Sequence, residues 1–213
     1  MYIVDRTLTF VRGFIMSYGP SGIKKRLWDK EFSGIKWDFI DNTAGDCVYP
    51  FLEKYAQNGN VLDLGCGPGN TANELAENVY QSYIGVDISE AALAKAEKRT
   101  QENGRSHKNK FVNSDFLGYR PTQEFNVILF RESMYHVPYG QVISILDKYT
   151  KHLEKNGVFI VRLYAGDIPT GKIKYRVTRK LNLIKREFEI IEAHQYDAPG
   201  TPTVLVFRPR HQS

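Results

Sequence analysis

Residues 61–71 read VLDLGCGPGNT, an apolar run that stops abruptly at three glycines. A short apolar run bounded by turn residues is typical of a buried strand. Gly65, Gly67 and Gly69 carry no side chain, so the backbone can turn tightly there and approach a ligand closely. The polar residues that follow suit the start of a helix. The stretch therefore predicts a strand, a tight turn and a helix, which either bind a nucleotide-like ligand or form a loop without one.

Strand and helix patterns alternate through the rest of the chain, which is typical of a parallel sheet with right-handed crossovers. Apolar runs predict further strands at 83–88, around 111–112, at 125–130 and at 157–164. Helical spacing predicts helices at 23–32, 47–57, 71–79, 90–103, 139–153 and 173–186. Two final apolar runs, FEIIEAHQY and TVLVFRP, are joined by the short loop DAPGTP. They predict that the last strand is antiparallel to the others.

The first 44 residues precede this α/β pattern. Val4, Leu8, Val11 and Ile15 fall on one face of a helix. We therefore predict a helical extension over residues 1–44 and one α/β domain over residues 45–213. Two interpretations stay open for the aromatic side chains of the extension, a lid over the ligand or a part of the core. These side chains belong to Phe10, Phe14, Tyr18, Trp28, Phe32 and Trp37.

The composition is ordinary for a globular protein of 213 residues, with 42% hydrophobic and 25% charged residues. Cys47 and Cys66 are too few for a disulfide scaffold and indicate a reducing, cytoplasmic setting. No apolar stretch reaches the roughly 20 residues that a membrane span requires. The net charge of +5 is compatible with a nucleic-acid partner, but many basic enzymes bind none. We expect neither a nucleic-acid nor a membrane partner, and the sequence does not indicate an oligomeric state.

Two carboxylates follow the strands next to the glycine turn. Asp87 ends the second predicted strand, where an acidic residue can reach the hydroxyls of a ribose. Asp115 follows the third. Each has a structural alternative, since Asp87 can cap the next helix and Asp115 can serve a turn. Three neighbouring strand ends that each carry a polar group favour a ligand site.

The spacing of the glycines bears on the kind of nucleotide. The dinucleotide fingerprint is G-x-G-x-x-G, whereas this chain has G-x-G-x-G. Asp63 lies just before the turn, where its charge would repel a pyrophosphate and attract a cationic ligand. No G-K-[ST] sequence follows, so a P-loop is excluded.

These residues resemble the motifs of class I S-adenosylmethionine-dependent methyltransferases. VLDLGCGPGNTA is similar to the first motif of that family, VDIS to the acidic end of its second strand, and NSDF to the aspartate beside the adenine. FNVILFRESMYHVP resembles its fourth strand and the following loop. The resemblance covers about residues 45–210. It implies a Rossmann-like, seven-stranded, mostly parallel sheet with an antiparallel last strand and helices on both faces.

The resemblance also implies the cofactor and the residues that bind it. S-adenosylmethionine would contact Gly65 and Gly67 with its methionine part, while Asp63 would anchor the turn or the ammonium group. Asp87 would bind the ribose hydroxyls. The remaining contacts would come from residues beside the adenine and at the amino-acid end, namely Ile88, Asp115, Phe116 and Arg131. We expect no metal site.

The acceptor side should be built from the loops after the fourth and fifth strands. The candidate catalytic residues there are Glu132, Tyr135, His136 and Arg162. His136 suits a general base because its ordinary pKa is about 6.5, although packing is the alternative. Arg162 and Arg131 follow neighbouring strands, so they either bind an anionic substrate together or pair with Glu132 or Asp167.

Several substrate classes are excluded by the residues after the fourth strand. FRES stands where nucleic-acid amine methylases of this family have [DNS]-P-P-[YFW], and no cysteine lies there for cytosine-C5 chemistry. We predict a methyltransferase that acts on an oxygen or nitrogen of a small molecule. The alternatives are an RNA-directed methyltransferase that uses the basic surface and a non-catalytic cofactor-binding or scaffold protein of the same fold.

Overall fold

The computed structural model describes residues 12–34, 43–164, 172–195 and 202–210. The predictions for Val4, Leu8, Phe10, Val11 and Trp37 lie outside these ranges. No helix within the described ranges is both long enough and apolar enough to span a membrane.

Seven strands form one sheet, as the sequence predicts. They are β1 (Gly59–Leu64), β2 (Tyr80–Asp87), β3 (Asn109–Asn113), β4 (Phe125–Arg131), β5 (Leu153–Tyr164), β6 (Glu189–Gln195) and β7 (Pro202–Arg208). Their order across the sheet is β3-β2-β1-β4-β5-β7-β6. β7 lies between β5 and β6 and is antiparallel to both, while the other neighbouring pairs are parallel. The predicted fold class is therefore confirmed.

Helices cover both faces of the sheet. They are α1 (residues 12–18), α2 (Ser21–Phe32), α3 (Tyr49–Ala56), α4 (Asn70–Glu74), α5 (Glu90–Glu102), α6 (Val142–Thr150) and α7 (Lys172–Glu187). One buried cluster joins the sheet to α6 and α7, and a second joins the opposite face to α3. Successive strand residues point to opposite faces. Leu62 and Leu64 therefore belong to the first cluster, whereas Val61 belongs to the second and shares its face with Asp63.

The helix predicted at 71–79 is shorter in the structure. α4 ends at Glu74, Leu75 is extended, and a single 3₁₀ turn follows at Glu77–Val79. The Arg105 side chain donates to the carbonyl oxygens of Ala72 and Leu75, at 3.1 and 2.7 Å. These carbonyls would otherwise accept the next helical hydrogen bonds, so a long-range contact replaces the local pattern. Ala76, which falls within the predicted helix, is exposed as a result.

Ser89 joins α5 to the N-terminal segment. Its hydroxyl accepts from the Ala92 N–H at 3.2 Å and thereby caps the start of α5. The same hydroxyl donates to Asp29 of α2 at 2.9 Å. Asp29 also accepts from the Ala91 N–H at 3.3 Å. One hydroxyl thus stabilises the start of α5 and holds α2 against it.

Replacement of Ser89 by alanine should lower the free energy of unfolding by about 1–2 kcal/mol, because a fully buried cap and its bond to Asp29 are both lost. Urea denaturation measures the change. The control is Ser106→Ala, at an exposed position, which should shift it by less than about 0.5 kcal/mol. Equal stability of the two variants would contradict the assigned role of Ser89.

Candidate functional site

A cavity of about 780 Å³ opens at the carboxyl ends of the central strands. This is where parallel α/β sheets bind ligands, because the loops there diverge where the strand order reverses. The glycine turn after β1, the ends of β2, β4 and β5, and helices α1 and α2 form its walls. We call it the central cavity.

The glycine turn depends on the absence of side chains. Gly65, Gly67 and Gly69 have φ angles of 86°, 53° and 74°, in the left-handed region that favours glycine. A Cβ atom on Gly65 would lie 2.5 Å from the Cβ of Ser133. The loop after β4 can therefore pack directly on the backbone of the turn.

Asp87 ties this turn to the end of β2. Its Oδ2 accepts from the Gly67 N–H and its Oδ1 from the Ser89 N–H, each at 2.9 Å. Burial raises the pKa of its carboxyl group, while the backbone hydrogen bonds act in the opposite direction. Each carboxylate oxygen keeps a second lone pair that can accept from a ligand. Asp87 can therefore hold the glycine turn and the start of α5 and also accept a hydrogen bond from a ligand.

Asp63 is the most deeply buried acid of the cavity wall, with 1% of the residue exposed. Its Oδ2 accepts from the Tyr83 hydroxyl at 2.7 Å. Burial raises the pKa of Asp63 to about 6, against the opposing influence of Tyr83 and Arg131. A carboxylate held so far from water is stabilised by a cationic ligand.

Three buried polar atoms lack a hydrogen-bond partner among the described residues, and all three belong to the wall of the central cavity. They are Asp63 Oδ1, Ser133 Oγ and Arg162 Nε. Buried polar groups are normally paired, because an unpaired one loses its hydration without compensation. The atoms themselves are enclosed by protein, so they mark a polar region of the wall and not direct contacts for a ligand.

Asp115 is covered by the N-terminal segment. Its Oδ2 forms an ion pair with Lys24, a buried lysine of α2, and accepts from the Ser21 hydroxyl at 3.0 Å. Its Oδ1 accepts from the Leu117 N–H at 3.0 Å, as in the predicted turn role. Ile88 and Phe116 line the cavity nearby. Helix α2 therefore lies across the part of the cavity that the motif resemblance assigns to the adenine.

Arg131 and Arg162 share one carboxylate. The Nη2 atoms of the two arginines lie 2.8 and 3.0 Å from Asp46 Oδ2, and Arg162 also pairs with Glu132. Although burial opposes the change, the two arginines lower the pKa of Asp46. The arginines therefore pair with protein carboxylates, as in one of the two interpretations of the sequence. Glu132 is one of the predicted partners, and Asp46 is an additional one. Asp167 lies outside the described residues.

Sequence reasoning missed Asp46. It precedes α3 and its Oδ1 accepts from the Val48 N–H at 3.0 Å, which places the carboxylate at the start of that helix. An acid just before an apolar helical pattern is a known helix-start signal. That signal would have located Asp46 in a loop, but not beside two arginines that follow distant strands.

Tyr135 and His136 lie in a 3₁₀ turn after β4 and line the cavity. The Tyr135 hydroxyl donates to the Tyr164 carbonyl, and burial raises its pKa well above the usual value. The His136 ring meets Trp28 of α2 edge-on, with 5.0 Å between ring centroids. Burial and the charges of Lys180 and Lys24 lower the pKa of His136 to about 4. At neutral pH this imidazole is therefore uncharged.

Lys180 is a second residue that the sequence analysis missed. It is buried, and its Nζ donates to the carbonyls of Met134 and Tyr135, at 2.8 and 2.9 Å. Burial and Arg176 lower the pKa of Lys180 to about 8. Lys180 lies on the same face of α7 as the buried residues Val177 and Ile184. A lysine at an apolar position of the helical pattern was the feature of the sequence that could have indicated a buried polar contact. Its contacts hold the turn that carries His136.

All twelve predicted site residues border the central cavity. They are Asp63, Gly65, Gly67, Asp87, Ile88, Asp115, Phe116, Arg131, Glu132, Tyr135, His136 and Arg162. The arrangement supplies buried carboxylates on the β1–β2 side and aromatic, neutral or paired groups on the β4–β5 side. Such a cavity can hold a cationic ligand and place a second molecule beside it.

Comparison with known proteins gives consistent similarities. The family model described as a methyltransferase domain matches residues 37–196. Sterol 24-C-methyltransferase erg6 of Aspergillus fumigatus is 28% identical over 100 residues, which cover 46% of this chain and 26% of that protein. Ubiquinone biosynthesis O-methyltransferase of Thiobacillus denitrificans is 36% identical over 78 residues, which cover 37% of this chain and 33% of that protein. The chain spans about a fifth to a half of the length of the curated relatives it matches.

A solved structure shares the fold over nearly the whole chain. The N-methyltransferase NodS of Bradyrhizobium japonicum WM9, in complex with S-adenosyl-L-homocysteine, superposes with a TM-score of 0.67 at 17% identity. The match covers 88% of this chain and 98% of NodS. At that identity the likeness concerns the fold alone.

The pKa of Asp63 gives a pH-dependent prediction. In the unfolded chain an aspartate ionises near pH 3.9, whereas folded Asp63 ionises near 6, so the folded state holds the extra proton between these values. The contribution of Asp63 to stability should therefore fall as pH rises from about 4 to 6. Relative to Asp63→Asn, wild type should lose about 2–3 kcal/mol over that range. Urea unfolding at several pH values tests this.

The control variant is Asp147→Asn, at an exposed position of α6. Its free energy of unfolding should follow that of wild type over the same pH range. A difference between wild type and Asp63→Asn that stays constant with pH would contradict the burial argument.

Proposed function

Because the chain belongs to the methyltransferase-domain family, we propose that it transfers the methyl group of S-adenosylmethionine to an oxygen or nitrogen of a small molecule. The observation that carries the proposal is the placement of the left-handed glycine turn and of the buried carboxyl groups of Asp63 and Asp87 in the wall of one cavity. A sulfonium cofactor with an ammonium and a carboxylate group brings charges and hydrogen-bonding groups of the required kinds. When bound, it supplies an electrophilic methyl group on a good leaving group.

The β1–β2 side would hold the cofactor. Gly65 and Gly67 allow the close approach of the methionine part, and Asp63 stabilises its positive charge. Asp87 accepts from the ribose hydroxyls with the lone pairs that Gly67 and Ser89 leave free. The adenine would lie between Ile88 and Phe116, with Asp115 as acceptor of its amino group.

The β4–β5 side would orient the acceptor and exclude water from it. Methyl transfer from a sulfonium is an in-line displacement that depends mainly on position and desolvation. Neutral His136 can accept a proton, but a base whose pKa is about 4 removes a proton only from an acidic acceptor. Tyr135 stays protonated and donates to Tyr164. The proposed contribution of Glu132 and Arg162 is a rigid wall for the acceptor.

Helices α1 and α2 would form the lid of residues 1–44, next to the methyltransferase domain of residues 45–213. Met16, Trp28 and Phe32 line the cavity from these helices. Lys24 and Ser21 bind the carboxylate assigned to the adenine, so α2 has to release or share Asp115 when the cofactor binds.

Cytoplasmic location stays a prediction, supported by the two free thiols.

The cofactor proposal predicts that Asp87→Ala weakens S-adenosylmethionine binding by about 1.5–3 kcal/mol, roughly 10- to 100-fold, because a charged acceptor is lost. Calorimetry on the purified variant measures the dissociation constant. Asp87→Asn, which keeps an acceptor oxygen for the Gly67 N–H, should lose less. Unchanged affinity in a folded Asp87→Ala protein would contradict the assignment.

The lid proposal predicts that S-adenosylmethionine changes the hydrogen exchange of α2 amides, because binding competes for Asp115. Mass spectrometry on peptides from residues 21–32 measures this. Peptides from β6, which lies at the edge of the sheet and does not line the cavity, are the internal control. Identical exchange of α2 with and without cofactor would assign the helix to the core instead.

A further inference from the structure

We infer that the methyl acceptor is an uncharged molecule with an apolar body, held between Trp28, Tyr135 and Tyr164. The inference rests on the proposed function and specifies its substrate class. Protein carboxylates neutralise the described cations in the wall of the central cavity.

Every described cation that lines the central cavity is paired with a protein carboxylate. Arg12 pairs with Glu31, and Lys24 pairs with Asp115. Arg131 and Arg162 pair with Asp46, and Arg162 also pairs with Glu132. An anionic acceptor would have to displace one of these carboxylates or lie beside it without a counter-charge, and both alternatives disfavour binding.

The titratable residues that line the cavity near the acceptor add no unpaired charge, and the buried Lys180, which faces His136, does not line the cavity. His136 faces Lys24 of α2 and Lys180 of α7, and both cations disfavour its protonation. Tyr135 faces Glu132 and Arg162, and burial keeps its hydroxyl protonated. The groups on this side are therefore either neutral or already paired.

The uncharged surface on this side is mainly aromatic. Trp28, Tyr135, His136 and Tyr164 line the cavity, and Tyr164 is 39% exposed. Aromatic faces favour the burial of an apolar ring or chain.

Glu132 is the residue that should control the preference. Its backbone has a φ of 56°, unusual for a residue other than glycine, and its N–H donates to the Arg162 carbonyl at 2.9 Å. The Glu132 carboxylate also forms an ion pair with the guanidinium of Arg162, so backbone and side chain of Glu132 both bind Arg162. Without this carboxylate, the one carboxylate partner left to Arg162 among the described residues is Asp46, which it shares with Arg131.

The test measures binding of charge-matched phenols to the full chain saturated with S-adenosylhomocysteine. Binding of S-adenosylhomocysteine is measured first and tests the proposed function. NMR titration or calorimetry then compares 4-methylphenol, 4-hydroxybenzoate and tyramine. We expect 4-methylphenol to bind at least 10-fold more tightly than either charged analogue. In Glu132→Gln, 4-hydroxybenzoate should gain about 10-fold while 4-methylphenol changes little.

The control variant is Glu154→Gln, at an exposed position of β5, which should leave all three affinities unchanged. Thermal unfolding confirms that both variants are folded. If S-adenosylhomocysteine binds but a charged phenol binds as tightly as 4-methylphenol, or no phenol binds, the inference is wrong and the proposed function stands. An unchanged preference in folded Glu132→Gln would also overturn it. If S-adenosylhomocysteine itself does not bind, the proposed function fails.

Discussion

The carboxylate of Asp87 connects the elements on which the site depends. It accepts from Gly67 in the turn after β1 and from Ser89 at the start of α5. Two neighbouring strand ends and one helix start are thereby fixed by a single buried side chain. The glycine turn can keep its left-handed backbone because this hydrogen bond holds it, and because Gly65 lets the loop after β4 pack closely.

The network of Asp46 with Arg131 and Arg162 fixes the opposite side of the cavity in a comparable way. Two cations at the ends of adjacent parallel strands repel each other unless an anion lies between them. Asp46 supplies that anion from the start of α3, and Glu132 supplies a second. The pairing holds α3 against the ends of β4 and β5. Both arginines at these strand ends therefore have a carboxylate partner among the described residues, which supports the proposal of an uncharged acceptor.

Helix α2 links the two sides of the cavity. Lys24 contacts Asp115 on the proposed cofactor side, Asp29 contacts the start of α5, and Trp28 packs on His136 on the proposed acceptor side. A segment that touches both ligand regions can couple cofactor binding to the enclosure of the acceptor. Enclosure matters for methyl transfer because water competes for the electrophilic methyl group.

Local patterns in the sequence determined the sheet, the glycine turn and the position of the acidic residues at the strand ends. This worked because strand periodicity and the conformational freedom of glycine are properties of a few consecutive residues. All twelve candidate residues reached one cavity because the carboxyl ends of parallel strands share one edge of the sheet. The early end of α4 was not visible, because Arg105 competes for its carbonyls from about thirty residues away.

Only the tertiary structure decided which charges neutralise each other. Asp46 and Arg131 are 85 residues apart, Lys24 and Asp115 are 91 apart, and Lys180 reaches Met134 across 46 residues. No spacing rule connects such pairs, since their distance depends on how helices dock on the finished sheet. The sequence by itself determined which residues come together at the central cavity, and the packing of α2, α3 and α7 decided the electrostatic environment inside it.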